Sequence, residues 1–527
     1  MKGSETKSKS GDTKSKSGDT KMKSGINEFN GAGKKFHNEQ CDNSMTFEEC
    51  EIAVLRHAVD ESEKMQGQKV AMSDEINRII RIVESFLIKK QLICYGGTAV
   101  NNILPKNAQF YNHEYEIPDY DFFTDNAAND AKELADIFMS EGFQDVEAKS
   151  GVHYGTFKVF VNFVGVADIT EIHTELFDAL KLESIMRAGI RYAPPDYLRM
   201  SMFLELSRPA GDVSRWEKVL KRLVLLNHYY PIQPNIDCKD AKFQRSMSSI
   251  KNKELSEKIF YIVRDTLIYQ GAVFFGGYAA NLYAKYMPED EQNLISRTNP
   301  DFDVLSEDIE LCATIVKEQL INAGIQNVSE IRHPAVGEIV PARIEILVGT
   351  DTIAFIYEPI ACHNYNVIHT HGLEINVATI DTMLSFYLAF IYTKEYAQFR
   401  TRIMCMAKFL FDVEQENRLE QRGVLKRFSM NCIGKQKSLT DLRMEKSRMF
   451  HKLKRGTSEF EKWFMSYRPK PQKKENQKVI EASMEEDDYE IPKSTKPAKR
   501  NAKKTERVDL TGISSFRRKL LTKRRSP

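Results

Sequence analysis

The sequence predicts an α+β chain that carries two tandem copies of one domain between disordered tails. The first observation is the unit "LICYGGTAVNNIL", which reads as a strand, two glycines and a helix start. It returns as "AVFFGGYAANLY", which places Gly96 and Gly276 180 positions apart. The second is the acidic phrase "PDYDFF", which returns as "PDFDVL" and places Asp119 and Asp301 182 positions apart. Repeats this long indicate duplicated domains, because solenoid repeats span about 20–50 residues.

Both ends of the chain have the composition of disordered segments. Residues 7–13 and 14–20 are the same heptapeptide, "KSKSGDT", and such sequence buries too little apolar surface to offset the entropy of ordering. We therefore expect residues 1–45 and 471–527 to be disordered. The part from Lys493 onward holds 13 Lys/Arg and 2 Asp/Glu, a charge of +11, which leaves −9 for the rest. This basic tail indicates nucleic acid as a partner, although a nuclear-import signal would also explain it.

The remaining composition suits an intracellular globular protein. Apolar residues make up 42% of the chain, which is ample for buried cores. No run approaches 18 apolar residues and no secretory signal is evident, so we expect a soluble protein without a membrane partner. The eight cysteines show no CxxC pair and no regular spacing. We therefore expect free thiols in a reducing compartment.

The first copy is predicted to span residues 46–230. Helical spacing of apolar residues in "TFEECEIAVLRHAV" and "EINRIIRIVESFLIKK" predicts two helices ahead of the Gly-Gly unit. Strand-like runs follow at "DYDFFT", "GTFKVFVNFV" and "GVADITEI", and the amphipathic helix "DVSRWEKVLKRLVLLN" closes the copy. The pattern restarts over 231–430, and a helical segment is expected over 431–470.

The acidic phrase can form part of a cation site. Alternate residues of a strand point to the same face, so Asp119 and Asp121 should project side by side. Two such carboxylates repel each other unless a cation lies between them, and oxygen ligands favour Mg²⁺ or Mn²⁺. A solvated strand edge or turn would also explain the pair by itself. Asp168, an acid within the apolar "GVADIT" run, would complete a two-metal site, unless it is an ordinary strand-end acid.

A phosphate seat precedes the acids along the chain. Gly96 and Gly97 allow close backbone approach at a helix N-terminus, where anions are favoured, and Thr98 adds a hydroxyl donor. The order of phosphate seat, acidic pair and third acid is the one that a nucleoside triphosphate with bound metal requires.

The pattern "GGT…PDYDFF…VADIT" resembles that of the nucleotidyltransferase superfamily. The two-copy layout and basic ends are most similar to the poly(A) polymerase catalytic subunits of giant DNA viruses, with poxvirus enzymes as more distant relatives. The resemblance implies two tandem nucleotidyltransferase-like domains, each a mixed sheet flanked by helices. It also implies ATP as donor, the RNA 3′ end as acceptor, and a place in the host cytoplasm or virion. RNA would be retained by a second copy of the chain or by a separate processivity subunit.

In this interpretation the first copy is catalytic and the second is degenerate. Asp119, Asp121 and Asp168 would hold the metal that activates the RNA 3′-hydroxyl, and the first two would share the metal on the triphosphate. In the second copy Tyr278 stands opposite Thr98 and Phe355 opposite Asp168, so a hydroxyl and a ligand are missing. A slipped alignment, in which Glu345 of "RIEILV" supplies the third carboxylate, is the alternative.

A basic helix face and two rival functions complete the predictions. Arg215, Lys218 and Arg222 recur at helical spacing and would contact triphosphate or RNA, or form a solvated face. The chain is thus predicted to be a template-independent poly(A) polymerase. Its rivals are a nucleotidyltransferase with another acceptor, such as a tRNA end or nucleotide oligomer, and a non-catalytic RNA-binding scaffold.

Overall fold

The computed structural model describes residues 41, 45–71, 74–111, 118–235, 237–238, 241–286, 292, 298–370 and 372–470. Apart from residues 41 and 45, the tails predicted to be disordered lie outside this part of the chain. None of the described helices is both long and apolar enough to cross a membrane.

The first of two sheets has eight strands, numbered along the chain. They are β1 (Ile93–Tyr95), β2 (Tyr120–Thr124), β3 (Val146–Ser150), β4 (Thr156–Val161), β5 (Val164–Glu171), β6 (Ile185–Arg187), β7 (Ile190–Tyr192) and β16 (Ser466–Tyr467). Their order is β16-β3-β4-β5-β2-β1-β7-β6. The sheet is mixed, because β2 runs parallel to β5 and β1 parallel to β7, while the other pairs are antiparallel.

The second sheet also has eight strands. They are β8 (Val273–Phe274), β9 (Phe302–Leu305), β10 (Val328–His333), β11 (Arg343–Val348), β12 (Asp351–Tyr357), β13 (His363–Thr370), β14 (Leu373–Ala378) and β15 (Cys432–Ile433). Their order is β10-β11-β12-β9-β8-β14-β13-β15. β10 to β12 correspond to β3 to β5, and β8 and β9 to β1 and β2. The same two central pairs are parallel, as the duplication predicts.

Helices flank both sheets, which confirms the predicted α+β fold class. The helices are α1 (Phe47–Ala71), α2 (Asp74–Lys90), α3 (Gly96–Ile103), α4 (Ala127–Ser140), α5 (Thr174–Glu183), α6 (Pro195–Leu206), α7 (Trp216–Tyr229), α8 (Lys253–Tyr269), α9 (Gly277–Leu282), α10 (Ile309–Asn322), α11 (Ile380–Phe390), α12 (Arg400–Glu416), α13 (Leu439–Lys452) and α14 (Ser458–Phe464). α2 shows why the periodicity was informative: its buried residues are Ile79, Val83, Phe86 and Leu87, which share one face.

The two lobes, each defined as one sheet with its helices, pack together through α6 and α11. α11 is predominantly apolar and wholly buried, as expected for a helix between two layers. The described residues up to Lys470 form one compact unit. The segment 431–470 joins both sheets, because β15 pairs with β13 of the second sheet and β16 with β3 of the first.

The expectation that the cysteines are free thiols is wrong for six of the eight. Disulfides join Cys41 to Cys50, Cys238 to Cys405 and Cys362 to Cys432. The free thiols, those of Cys94 and Cys312, are buried. Two of the three disulfides join residues 167 and 70 positions apart, so only the tertiary fold brings these partners together. Spacing along the sequence carries no sign of such pairs.

Candidate active site

Two parallel strands of the first lobe carry the predicted acids. Asp121 of β2 lies directly opposite Asp168 of β5 in the strand register, so their side chains leave the same face of the sheet. Asp119 lies two residues before Asp121, immediately ahead of β2, and is exposed. The structure therefore places Asp121 and Asp168 on adjacent strands, as the sequence predicted. Asp119 lies at the exposed position just ahead of β2.

The Gly-Gly turn passes directly over the acids. Tyr95, the last residue of β1, pairs with Asp121, and Gly96 begins α3 with a φ of +73°. A Cβ at Gly96 would stand 2.6 Å from Asp121 Oδ2. Both the left-handed backbone and the absence of space therefore require glycine at this position. The N-terminus of α3 and the carboxylate of Asp121 thus share one small volume.

The charges in this volume are not balanced by nearby cations. Burial, followed by the negative charges of Asp119 and Asp168, raises the pKa of Asp121 to about 7, although Lys158 and Arg215 act in the opposite direction. Lys158 of β4 forms an ion pair with Asp168; these residues also pair in the strand register. A raised carboxyl pKa of this kind is typical of a site that lacks its counter-charge.

The oxygen atoms of these acids are of the kind that a hard divalent cation prefers, although the described side chains are not grouped around a common point. Asp119, Asp121 and Asp168 offer only carboxylate oxygens, the ligands preferred by Mg²⁺ and Mn²⁺. Within the described residues, no three acidic, His or Cys side chains are grouped closely enough to hold a metal ion. Asp168 is engaged by Lys158 instead.

The expectation that Thr98 offers its hydroxyl to a phosphate is corrected by the structure. Thr98 is 1% exposed, and its Oγ1 donates a hydrogen bond of 2.6 Å to the carbonyl of Asp119. The matching residue of the second lobe, Tyr278, is also turned inward, with its ring 4.8 Å from that of Phe274. The third residue of the unit faces the core in both lobes because it lies on the inner side of the helix. Thr98 therefore helps to position Asp119.

Arg222 is the one residue of the predicted basic face that reaches the Gly-Gly turn. A Cβ at Gly97 would stand 2.8 Å from Arg222 Nη1 and 2.5 Å from the Tyr111 hydroxyl. Arg222 Nη2 donates a 2.7 Å hydrogen bond to that hydroxyl, and the guanidinium lies over the rings of Phe110 and Tyr111. Arg215 instead pairs with Glu205, at 3.2 Å. Lys218 is exposed on the same helix.

Two residues of this site were missed by the sequence reasoning. Lys158 alternates with buried apolar residues on β4, a signal that identifies the face but not the partner. The Asn101 side chain, 0% exposed, accepts hydrogen bonds from the backbone of Phe110 and Tyr111 at 2.8 and 2.9 Å. Asn101 of α3 thereby holds the segment with Phe110 and Tyr111 against α3, where the Tyr111 hydroxyl lies beside Gly97. A polar residue in the apolar stretch of α3 was the available clue.

The second lobe has the same strand register as the first lobe, but an aromatic residue stands at the position of Asp168. Asp303 of β9 pairs with Phe355 of β12 in the way that Asp121 pairs with Asp168. Phe355 therefore does occupy the third-ligand position. Glu345 lies one strand further away, opposite Phe355, where Lys158 stands in the first lobe. It bonds to His333 at 2.8 Å and to Thr352 at 2.6 Å. The slipped alignment that would make Glu345 a ligand is excluded by this register.

Sequence comparisons match the part of the chain that carries this site. Residues 81–212 match the family described as the poly(A) polymerase catalytic subunit. The African swine fever virus (isolate Pig/Kenya/KEN-50/1950) poly(A) polymerase catalytic subunit is 34% identical over 171 residues, 31% of this chain and 36% of that relative. The Acanthamoeba polyphaga mimivirus counterpart is 29% identical over 239 residues, 43% and 38% of the two chains. The matched segments thus span just over a third of these relatives' own lengths.

The structural comparison extends over most of the chain. The crystal structure of the Megavirus polyadenylate synthase superposes with a TM-score of 0.67 at 19% identity, covering 88% of this chain and 93% of that one. At this identity the likeness shows the fold, and it extends well beyond the family match over residues 81–212. Residues 81–212 therefore match the poly(A) polymerase catalytic subunit family, and the chain has the fold seen in the Megavirus polyadenylate synthase.

Proposed function

We propose that the chain is a template-independent poly(A) polymerase that transfers AMP from ATP to the 3′ end of RNA. The observation that carries the proposal is the arrangement in the first lobe: Asp121 and Asp168 stand side by side beneath the N-terminus of α3, and Arg222 stands above it. Carboxylates thus lie on one side, and groups that can donate hydrogen bonds to an anion lie on the other. A triphosphate with its cation requires both.

In the proposed mechanism, each residue acts by position and charge. Asp119, Asp121 and Asp168 would hold Mg²⁺ or Mn²⁺, which would supply charge neutralisation for the nucleophile and the triphosphate. The backbone N–H groups at Gly96 and Gly97 donate hydrogen bonds to the β- and γ-phosphates. The guanidinium of Arg222 donates to the same phosphates from above. The RNA 3′-hydroxyl attacks the α-phosphate in line, a new P–O bond forms, and pyrophosphate leaves. Lys158, which forms an ion pair with Asp168, would have to give up that pair for the carboxylate to hold a cation.

A nucleotide and acceptor panel tests this function. The protein is incubated with each of the four NTPs and a labelled RNA oligonucleotide, a tRNA transcript or a nucleotide dimer, with Mg²⁺ or Mn²⁺. The proposal expects an ATP-dependent ladder on the RNA oligonucleotide. Addition restricted to a tRNA end or a dimer would indicate the rival transferase. Binding of RNA without any addition would support a scaffold.

Arg222→Ala is expected to weaken ATP use selectively. Loss of charged hydrogen bonds to the phosphates costs about 1.5–3 kcal/mol, which corresponds to roughly a 10- to 100-fold rise in KM for ATP. Arg222→Lys should recover part of this loss, because it restores the charge without the fork. Tyr111→Phe should give a smaller rise, since the ring remains and only the hydroxyl bonded to Arg222 is removed.

Steady-state kinetics with varied ATP and saturating RNA measure these effects. Lys221→Ala is the matched control, because Lys221 is the neighbour of Arg222 on α7, is 74% exposed and pairs with Glu217. The control should keep the KM of the unmodified protein. An unchanged KM for ATP in Arg222→Ala, together with weaker RNA binding, would reassign Arg222 to the RNA.

The basic tail, which lies outside the described residues, is expected to add salt-sensitive RNA affinity. The log–log salt slope for single strands is about −0.7 per phosphate neutralised. Deletion of Lys493–Pro527 removes a charge of +11 and should flatten that slope with little change in the rate of single addition to saturating RNA. Fluorescence anisotropy over a salt series measures it. A slope that stays the same would assign the tail to localisation.

The proposed partners follow from the same function. ATP and the RNA 3′ end are the substrates, and retention of RNA between additions would rest on a second copy of the chain or a processivity subunit. Light scattering with and without RNA separates these two. A place in the host cytoplasm, where viral mRNA is processed, and in the virion completes the proposal and is testable by fractionation of infected cells.

A further inference from the structure

The acidic pair of the second lobe already has a cation bound to it, and that cation belongs to the same chain. Arg245 lies in the segment that joins α7 to α8. Its Nη2 stands 2.5 Å from Asp301 Oδ1, and its Nη1 stands 3.1 Å from Asp303 Oδ1. Nη2 also bonds to the carbonyl of Phe302 at 3.1 Å, and the backbone N–H of Arg245 donates to Asp301 Oδ2 at 2.9 Å.

The surroundings suit a guanidinium and not a metal ion. The guanidinium carbon lies 4.9 Å from the ring centre of Phe355, the residue that replaces the third ligand. An aromatic face attracts a flat organic cation but offers no oxygen to a metal. The side chains of Asp301 and Arg245 are 3% and 14% exposed. Burial alone lowers the pKa of Arg245, but the charges of Asp301 and Asp303 outweigh it and raise the pKa.

The same segment is attached to the second lobe at further points. The Asn299 side chain donates to the carbonyl of Arg245 at 3.0 Å. Asp351 accepts hydrogen bonds from the backbone of residues 248, 249 and 250, at 2.7–2.8 Å. The disulfide between Cys238 and Cys405 holds its other end. Among these contacts, Arg245 is the residue that binds the acidic pair.

We propose that Asp301 and Asp303 form a guanidinium-binding site whose ligand is Arg245, and that this site fixes the interlobe segment 241–250 to the second lobe. The replacement of an acid by Phe355 then has a role of its own: it turns a cation site for metal into one for arginine. The second acidic phrase is retained in the fold as an anchor. This proposal is independent of whether the first lobe adds nucleotides.

The test removes the internal ligand and offers a replacement. Arg245→Ala should lower the melting temperature by several degrees and speed tryptic cleavage after Lys242 and Lys251, which flank the anchor. Millimolar methylguanidinium chloride should restore part of both losses, whereas equal methylammonium or sodium chloride should not. Arg332→Ala is the matched control: Arg332 also bridges two carboxylates, Glu310 and Glu330, but it is 58% exposed. Its melting temperature should be unchanged.

A charge-neutral variant keeps the proposal testable if Arg245→Ala does not fold. Arg245→Met with Asp301→Asn and Asp303→Asn removes ligand and site together, so it should fold, retain faster cleavage of the segment and show no response to methylguanidinium. Equal rescue of this triple variant would overturn the site. So would an unshifted melting temperature and cleavage rate in Arg245→Ala. A rise in melting temperature with MnCl₂ that is larger in Arg245→Ala than in the unmodified protein, and larger than the rise with methylguanidinium, would instead reveal a metal site and overturn the guanidinium assignment.

Discussion

Replacing Asp121 with Asn is expected to reduce single nucleotide addition by about 1,000-fold, because several kcal/mol of charge stabilisation depends on this carboxylate. The fold should be retained. Burial and neighbouring acids raise the pKa of Asp121 to about 7, well above its unfolded value, so ionisation of Asp121 opposes folding. The stability cost appears as pH rises from about 4 towards 7 and is complete above it. Without divalent cations at pH 8, the variant should therefore melt at the same temperature or higher.

Rapid-quench single addition and thermal melting with and without MnCl₂ measure these effects. Manganese should raise the melting temperature of the unmodified protein and not of Asp121→Asn. Asp168→Asn should behave similarly, and it also frees Lys158. Asp125→Asn is the matched control, since Asp125 is exposed and follows β2 directly. Near-normal addition by Asp121→Asn or Asp168→Asn would refute the assignment of these residues.

The corresponding change in the second lobe should affect stability and not chemistry. Asp301→Ala with Asp303→Ala leaves the Arg245 guanidinium buried without a partner, which costs about 3–5 kcal/mol. The rate of the first nucleotide addition should stay near that of the unmodified protein, because the register places Phe355 where a third ligand would be needed. Asp119→Ala with Asp121→Ala should show the reverse: a stable fold and no addition.

Urea unfolding and a rapid-quench assay on both double variants decide this asymmetry. The second-lobe variant is assayed at a temperature well below its own unfolding midpoint, so that loss of fold is not mistaken for loss of chemistry. Shorter products with an unchanged single step would indicate faster RNA dissociation. Loss of the first addition in a variant that is folded by circular dichroism would show that the second acidic pair belongs to a working active site.

Local rules were sufficient for the features that depend on neighbours along the chain. The Gly-Gly unit marked the turn into α3 at Gly96, and the acidic phrase marked β2, although Asp119 lies just ahead of that strand. The interpretation of the chain as two copies of one domain also followed from the sequence, because the Gly-Gly unit and the acidic phrase recur in the same order and at nearly constant separation. The same rules were misleading for Thr98. Its hydroxyl was expected to face a ligand, but the third residue of the unit lies on the buried side of α3.

The sequence by itself thus determined the duplication, the strand–Gly-Gly–helix units, the acid positions and the loss of an acid at Phe355. Only the tertiary structure decided which groups meet across long separations. Lys158 reaches Asp168 because β4 and β5 are adjacent, and Arg222 reaches Gly97 because α7 packs on α6, which in turn contacts α3. The two long-range disulfides and the Arg245 anchor likewise join segments tens of residues or more apart. Periodicity reports the face on which a side chain lies, whereas its partner depends on how the faces pack together.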